Sequence, residues 1–322
     1  MRVERVTPGK RAPARLAGSI LARDLAIGGV RWAKGRRLTA DDLLALAAAA
    51  PADPVSVLIP EGGELHEDDA ALRLAAAVAG PGLTLRGPAQ SRVDLLAEAH
   101  GVANVRVADL ERVNRIDPLE VFTVFDGQIV EPGELVASVK VAPHLVEAAI
   151  VDAGARLAGF GSNPLVWVAP FVPRRVGVLV KESVRATARD RFEASVRAKV
   201  EGLGSTIVSI DYVEDDTDAV EAAMAALVRG PDAVELILTA GAASTDPLDP
   251  CFLAIASLGG RVVRRGVPAH PGSMLWLARI GRTAILGLPT CGAYSKATAA
   301  DLLLPRLLSG DDASERTVAK LG

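Results

Sequence analysis

A glycine turn followed by two aspartates occupies residues 239–250, where the sequence reads TAGAASTDPLDP. Gly241 lacks a side chain, so a ligand can approach the backbone closely there. Asp249 followed by Pro250 is a favoured pair for the N-cap and first position of a helix, and helix N-termini attract anions. The segment therefore predicts a turn that binds phosphate, with small or hydroxyl-bearing contacts at Gly241, Ala242 and Ser244.

The two aspartates of this turn each allow two interpretations. Asp249 either only caps the following helix, which its position favours, or it holds Mg²⁺ against a phosphate or oxyanion. Asp246 either holds metal together with Asp249 or, equally, forms an Asx turn before Pro247, in which its side chain accepts a nearby backbone N–H. The sequence alone leaves both alternatives open.

Two more turns follow apolar, strand-like runs. KESVRAT, residues 181–187, offers Lys181, Ser183 and Arg185 to an anion, although a solvated loop is an equal interpretation. GLPTCGAYS, residues 287–295, contains Cys291, which is either an ordinary buried residue or a thiol facing a pocket. Pro305 is predicted to kink or end the helix that follows this turn.

The order of the surrounding elements predicts that these turns meet. Beyond residue 170, strand-like runs alternate with helix-spaced segments, which indicates right-handed crossovers and a largely parallel sheet. All strands of such a sheet end at one edge, and ligands bind there where the strand order reverses. We predict an α/β fold with a C-terminal doubly wound, mostly parallel sheet and helices on both of its faces. The expected boundaries are an α+β segment at 1–60, a β-rich and helical subdomain with a linker at 61–170, and the α/β domain at 171–322.

Composition narrows the functional classes. The 322 residues are 50% hydrophobic but only 3% aromatic, which is typical of helices packed on an aliphatic sheet. A net charge of −3 leaves no excess of Lys and Arg for nucleic acid. Cys251 and Cys291 form no CxxC pair that would indicate zinc or a disulfide framework. Without a signal-peptide core or an apolar run of about 18 residues, a soluble cytoplasmic protein is expected and no membrane partner.

The turns resemble the molybdopterin-binding domain shared by molybdenum insertases and molybdopterin adenylyltransferases. The insertase motif T-S-G-G-x-S-x-G-x-x-D corresponds to residues 239–249, in which Thr239, Gly241, Ser244 and Asp249 match. The insertase motifs P-G-K-P and G-L-P-G-N-P correspond to residues 271–274 and 287–292, where the lysine and the asparagine are absent. Molybdopterin-binding modules, some fused to a nucleotidyltransferase, are more similar, since their G-L-P-G-C is followed by a serine.

This resemblance implies a pterin phosphate held by helix N-termini and glycine turns. Asp249 and Asp246 are then the candidate catalytic residues, and Asp249 is the candidate metal ligand. The segment around Lys34 and Gly35 also resembles an early domain of the insertases. The residues implied to bind the cofactor are Thr239, Gly241, Ala242, Ser244, Pro271, Gly272, Gly287, Pro289, Cys291, Ser295 and Ser183.

The favoured function is binding of molybdopterin, its adenylate or the molybdenum cofactor, in cofactor biosynthesis or delivery. A molybdoenzyme or a cofactor nucleotidyltransferase is the expected client, and a homo-oligomer is expected because relatives self-associate. The alternative is a divergent insertase, an enzyme that transfers molybdate to adenylated molybdopterin with Mg²⁺, although its lysine and asparagine are missing. A third hypothesis is an unrelated α/β domain that binds another phosphate compound.

Overall fold

The computed structural model of the protein describes residues 1–321 apart from 8–13, 50, 52, 160–163, 182–185, 243, 289–296 and 312–313. Its contacts divide the chain into two compact units, Met1–Val168 and Ala169–Gly322. Within the part that the structure describes, no helix has both the length and the apolar character needed to cross a membrane.

The first unit combines four α-helices, among its described residues, with small β-sheets. Its largest sheet has the strand order β10-β12-β8-β7. The strands are β1 (Arg2–Val6), β2 (Ile20–Leu21), β3 (Leu25–Ile27), β4 (Val30–Trp32), β5 (Val55–Ile59), β6 (Glu64–His66), β7 (Leu83–Ala89), β8 (Arg92–Ala97), β9 (Gly101–Val105), β10 (Leu119–Thr123), β11 (Ile129–Val130), β12 (Leu135–Val141), β13 (Leu145–Glu147) and β14 (Val166–Pro170). The helices are α1 (Ala40–Ala49), α2 (Glu67–Val78), α3 (Val107–Asn114) and α4 (Ala148–Ala158), preceded by a 3₁₀ turn at Ala14–Leu16.

The second unit is built on a six-stranded sheet in the order β16-β15-β17-β20-β19-β18. The first four of these strands run parallel, and β19 and β18 complete the sheet in antiparallel fashion. The strands are β15 (Arg175–Val180), β16 (Thr206–Tyr212), β17 (Leu236–Ala240), β18 (Arg261–Arg265), β19 (Trp276–Ile280) and β20 (Thr283–Leu288). The helices are α5 (Ala186–Glu201), α6 (Thr217–Arg229), α7 (Pro250–Ser257), α8 (Ala299–Leu308) and α9 (Glu315–Ala319).

Both faces of this sheet are covered by helices. On one face, residues such as Phe192 of α5 and Leu303 of α8 pack against Val178 and Leu238. On the other, Met224 of α6 and Ile255 of α7 pack with further side chains of the same strands. The alternation arises because successive strand residues point to opposite faces. The predicted α/β class, with a doubly wound and mostly parallel C-terminal sheet, is confirmed.

Pro305 is predicted to kink or end helix α8, and the structure contradicts the second of these alternatives. Pro305 does not end it, because α8 continues to Leu308. Pro305 is itself buried in the helix, so packing of the last turn offsets the backbone hydrogen bond that proline cannot donate.

Candidate functional site

The strand order of the second unit reverses between β15 and β17. The chain leaves β15 for β16 on one side and then crosses to β17 on the other. Val180 and Ala240 are register partners at the C-terminal ends of these two strands, and the backbone N–H of Lys181 donates to the Ala240 carbonyl at 2.9 Å. This reversal is where ligands bind in open parallel sheets, and the turns at 181 and 241 flank it.

A buried ammonium group lies at this reversal. Nζ of Lys181 is 2.8 Å from Oδ2 of Asp249 and 2.7 Å from Oδ1 of Asp215. The Lys181 and Asp249 side chains are only 4% and 1% exposed, whereas Asp215 is 66% exposed. Burial lowers the pKa of Lys181, but its hydrogen bonds to Asp215 and Asp249 outweigh that effect and raise the pKa above its ordinary value. Lys181 is therefore held in its protonated form between the two aspartates.

The second carboxylate oxygen of Asp249 caps α7. Its Oδ1 accepts the backbone N–H of Cys251 at 2.9 Å, and Pro250 occupies the first turn. The predicted cap is confirmed. The expectation that the start of α7 offers free N–H groups to an anion needs correction, because Phe252 and Leu253 also donate to Asp249, through its carbonyl oxygen.

Asp246 has a different environment from Asp249. Its side chain is exposed, and its Oδ1 accepts the backbone N–H of Leu248 at 2.9 Å. This geometry confirms the Asx turn predicted from the Asp-Pro pair. Ser244, two residues earlier, is half-buried in the same turn.

The beginning of the turn carries a buried hydroxyl group without a hydrogen-bond partner. Thr239 is 1% exposed, and its Oγ1 contacts no donor or acceptor among the described residues. Gly241 follows with a φ of +90°, a backbone conformation that favours glycine, and Ala242 packs at the rim of the core formed with α6 and α7. A buried hydroxyl is stabilised by a hydrogen bond, so Thr239 carries an unused donor directly before the glycine turn.

The loop at Pro271 and Gly272 lies against the start of α8. The Pro271 carbonyl accepts the backbone N–H of Ala299 at 2.8 Å. Gly272 has a φ of +105°, and a Cβ atom there would lie 3.0 Å from the backbone nitrogen of Ala299. Thr298 caps α8 together with Asp301 in a capping box. Both predicted residues therefore lie next to the helix that follows the third turn.

Gly287 serves a packing role that the sequence does not indicate. A Cβ atom on it would lie only 1.9 Å from the indole ring of Trp276, its register partner on β19. Trp276 is 1% exposed and meets Phe252 edge to face at a centroid distance of 4.9 Å. The absence of a side chain at Gly287 is what admits the indole. The other predicted residues, Ser183, Pro289, Cys291 and Ser295, lie outside the described residues, as does Arg185.

The structure adds two features that sequence reasoning missed. Asp215, which follows β16, accepts a hydrogen bond from Lys181, and Lys181 pairs with Asp249 rather than remaining open to an anion. The sequence signal that could have indicated this ion pair is the position of Lys181 directly after an apolar strand, where the strand order reverses.

Cys251, beside Asp249, is fully buried, and burial and then the Asp249 charge raise its pKa to about 12. Among the described residues, no group of three or more His, Cys, Asp or Glu side chains could hold a metal ion.

Part of this chain is similar to a known protein family. Residues 176–309 match the family described as a probable molybdopterin binding domain. This match spans the sheet from β15 to the end of α8, and it confirms for this region the resemblance drawn from the turns.

Two solved structures are also similar to this chain. The molybdopterin biosynthesis enzyme MoaB from Thermus thermophilus is 22% identical, with 44% of this chain and 99% of MoaB covered and a TM-score of 0.33. The molybdopterin biosynthesis MoeA protein from Pyrococcus horikoshii is 14% identical, with 80% of this chain and 81% of MoeA covered and a TM-score of 0.32. No curated protein matches the sequence. The similarity to the molybdopterin-binding family therefore covers residues 176–309.

Proposed function

We propose that this protein binds molybdopterin, or its adenylate, at the C-terminal edge of the parallel sheet and acts in the biosynthesis or delivery of the molybdenum cofactor. The family match to residues 176–309 supports the ligand class. The reversal of strand order between β15 and β17 supports the location.

The residues around Gly241 fit a pterin phosphate. Gly241 leaves the backbone open to a close approach, the buried Thr239 hydroxyl lacks a hydrogen-bond partner among the described residues, and Ser244 adds a half-buried hydroxyl. Lys181 is not the expected phosphate contact, since two carboxylates already compensate its charge. We therefore assign the phosphate to the glycine turn and its hydroxyls.

The Lys181–Asp249 ion pair is the observation that favours a binding protein over a metal-dependent insertase. The Asp249 carboxylate is engaged on both oxygens, by Lys181 and by the Cys251 N–H. A Mg²⁺ ion at Asp249 has to displace a buried ammonium, and two cations at that distance repel each other. Mg²⁺ therefore does not fit the site with Lys181 in place, and we expect ligand binding that needs no divalent cation.

The test is calorimetric titration of the full-length protein with molybdopterin and with adenylated molybdopterin, once with Mg²⁺ and once with EDTA. A molybdate-dependent AMP-release assay accompanies it. We expect saturable binding that is equal in both buffers and no AMP release above background. Absence of binding to either pterin overturns the proposed ligand, and Mg²⁺-dependent AMP release instead identifies a divergent insertase.

A pair of variants connects the binding to the assigned turn. Thr239→Val removes the hydroxyl at nearly constant volume and is expected to weaken pterin binding by about tenfold, the value of one lost hydrogen bond to a charged acceptor. Thr283→Val is the matched control, because Thr283 is also a buried β-strand threonine but its hydroxyl already donates to the Val234 carbonyl at 2.8 Å. Its binding is expected to equal that of the wild type.

We further propose that the bound cofactor passes to a molybdoenzyme or a cofactor nucleotidyltransferase and that the protein self-associates. Sedimentation of the full-length chain with and without molybdopterin tests the second point. A monomer under both conditions contradicts it.

A further inference from the structure

A second charged cavity lies at the opposite edge of the same sheet. Leu236 and Ala284 line it, and these register partners lie near the N-terminal ends of β17 and β20. Ala240 and Leu288 are the corresponding partners at the other end, four residues further on, which is roughly 13 Å along the strands. The cavity is therefore separate from the site at Lys181 and Asp249.

Three arginines line this cavity, which has a volume of about 70 Å³. Arg174 directly precedes β15, Arg279 lies on β19, and Arg282 lies in the turn between β19 and β20. The volume is several times the roughly 10–15 Å³ that one water molecule needs. It accommodates one small ion but not a nucleoside.

The two carboxylates that also line the cavity are engaged elsewhere. Oε2 of Glu235 accepts the backbone N–H of Arg175 at 2.8 Å. Oδ2 of Asp311 lies 3.6 Å from Nη1 of Arg306, whose side chain is 5% exposed. The lining therefore holds three arginines against two carboxylates, and one of these carboxylates, Asp311, pairs with Arg306 outside the lining.

Arg174 is the residue that indicates a ligand. Its Nε is buried and has no hydrogen-bond partner among the described residues. A buried charged donor without an acceptor costs more free energy than an ordinary unmade hydrogen bond. The planar guanidinium fork matches the oxygens of phosphate-like anions.

We infer that this cavity binds a single tetrahedral oxyanion, with Arg174 as its principal ligand and Arg282 at its mouth. The anion is either free phosphate or the terminal phosphoryl group of a larger molecule whose remainder lies outside the cavity. This site is independent of the proposed pterin site.

The test uses the full-length, ¹⁵N-labelled protein titrated with inorganic phosphate at constant ionic strength set by chloride. The side-chain Nε–Hε resonance of Arg174 and the backbone amide of Ala284 report on the cavity, and the Gly241 amide reports on the pterin edge. We expect a saturable shift of the first two at phosphate concentrations that leave Gly241 unchanged. Shifts that grow linearly without saturation, or that appear only at Gly241, overturn the inference.

Two variants distinguish a specific phosphate site from nonspecific attraction of phosphate to arginines. Arg174→Gln is expected to weaken phosphate binding at the Ala284 reporter by about tenfold or more, the value of a charge-assisted hydrogen bond. Arg175→Gln is the matched control, since this neighbouring arginine pairs with Asp232 on the surface, and its affinity should equal that of the wild type. Equal weakening by both variants contradicts the site.

Arg282→Gln allows the phosphate affinity of the cavity to be tested even if Arg174→Gln does not fold. Arg282 is exposed in a turn, so its replacement leaves the core intact, and we expect affinity to fall about threefold. An unchanged affinity in this variant counts against the inference. Repeating the titration with AMP distinguishes the sources, since tighter binding of AMP than of phosphate indicates a phosphoryl group on a larger molecule.

Discussion

The ammonium of Lys181 lies 2.8 Å from a carboxylate oxygen of Asp249, and both side chains are almost fully buried. Both charges are removed from water, and the Lys181 ammonium is also stabilised by Asp215, which remains exposed to solvent. This pair joins the end of β15 to the start of α7 across 68 positions of sequence. The ion pair therefore links two elements of the fold and places two buried charges at the proposed site.

Lys181→Met keeps most of the side-chain volume but leaves Asp249 as a buried carboxylate without its cation. Removing one partner of a buried pair costs about 3 kcal/mol or more, so we expect the free energy of unfolding to fall by about that amount in a urea titration. Lys199→Met is the matched control. Lys199 pairs with Asp301, which is 32% exposed, and the expected loss there is about 1 kcal/mol or less. If the free energy of unfolding falls equally in the two variants, burial does not explain the contribution of the Lys181–Asp249 pair.

The alternation of strands and helices was predictable because it follows from local periodicity. The cap at Asp249 and the Asx turn at Asp246 were predictable for a similar reason, since each depends on a residue two positions away. The partnership of Lys181 with Asp249 was not predictable in this way. It depends on which strands are neighbours, and no local pattern in the sequence states the lateral order of the sheet.

The role of Gly287 also depends on strand neighbours that the sequence does not specify. In the sequence, Gly287 begins a turn after a strand-like run, and it is expected there to leave space for a bound phosphate. The structure shows that its hydrogen faces the indole of Trp276 on the neighbouring strand. Only strand register brings these two residues together, so the sequence could not indicate this packing role of Gly287.

Gly287→Ala tests this packing. The new methyl group would overlap Trp276, which is 1% exposed and cannot move without disturbing Phe252. Overpacking of this kind costs about 1–3 kcal/mol, and we expect a loss near the upper end with a red shift in tryptophan fluorescence. Gly62→Ala is the control, because no atom lies within 4 Å of a Cβ there, and its effect should stay within about 0.5 kcal/mol. A variant at Gly287 that is as stable as the control refutes the close contact.

Cys251 should be chemically inert in the folded protein. It is 0% exposed, and its pKa is raised to about 12, first by burial and then by the charge of Asp249. The thiolate is the reactive form, so almost none is present near neutral pH. In a Cys291→Ser background, a chromogenic disulfide reagent at pH 8 should release no thiol until denaturant is added. Rapid reaction under native conditions contradicts the burial of Cys251.

Asp94, in the first unit, predicts how the stability of the protein changes at acidic pH. It accepts hydrogen bonds from Arg86, Arg92 and Ser138 at 2.9, 2.7 and 2.7 Å. Burial raises the pKa of Asp94, but these bonds together outweigh it and lower the pKa to about 2.

Because the folded-state pKa of Asp94 lies below the unfolded value of about 3.9, its stabilisation is present above pH 4 and is lost as the pH falls toward 2. A shift of nearly two units corresponds to at most about 2.5 kcal/mol, and solvent screening of the exposed arginines reduces this to about 1 kcal/mol. Asp94→Asn should therefore lower the melting temperature at pH 6 but match the wild type near pH 2, whereas Asp53→Asn, at an exposed aspartate, should match it throughout. A difference between Asp94→Asn and the wild type that persists unchanged to pH 2 means that packing, and not the charge of Asp94, supplies the stability.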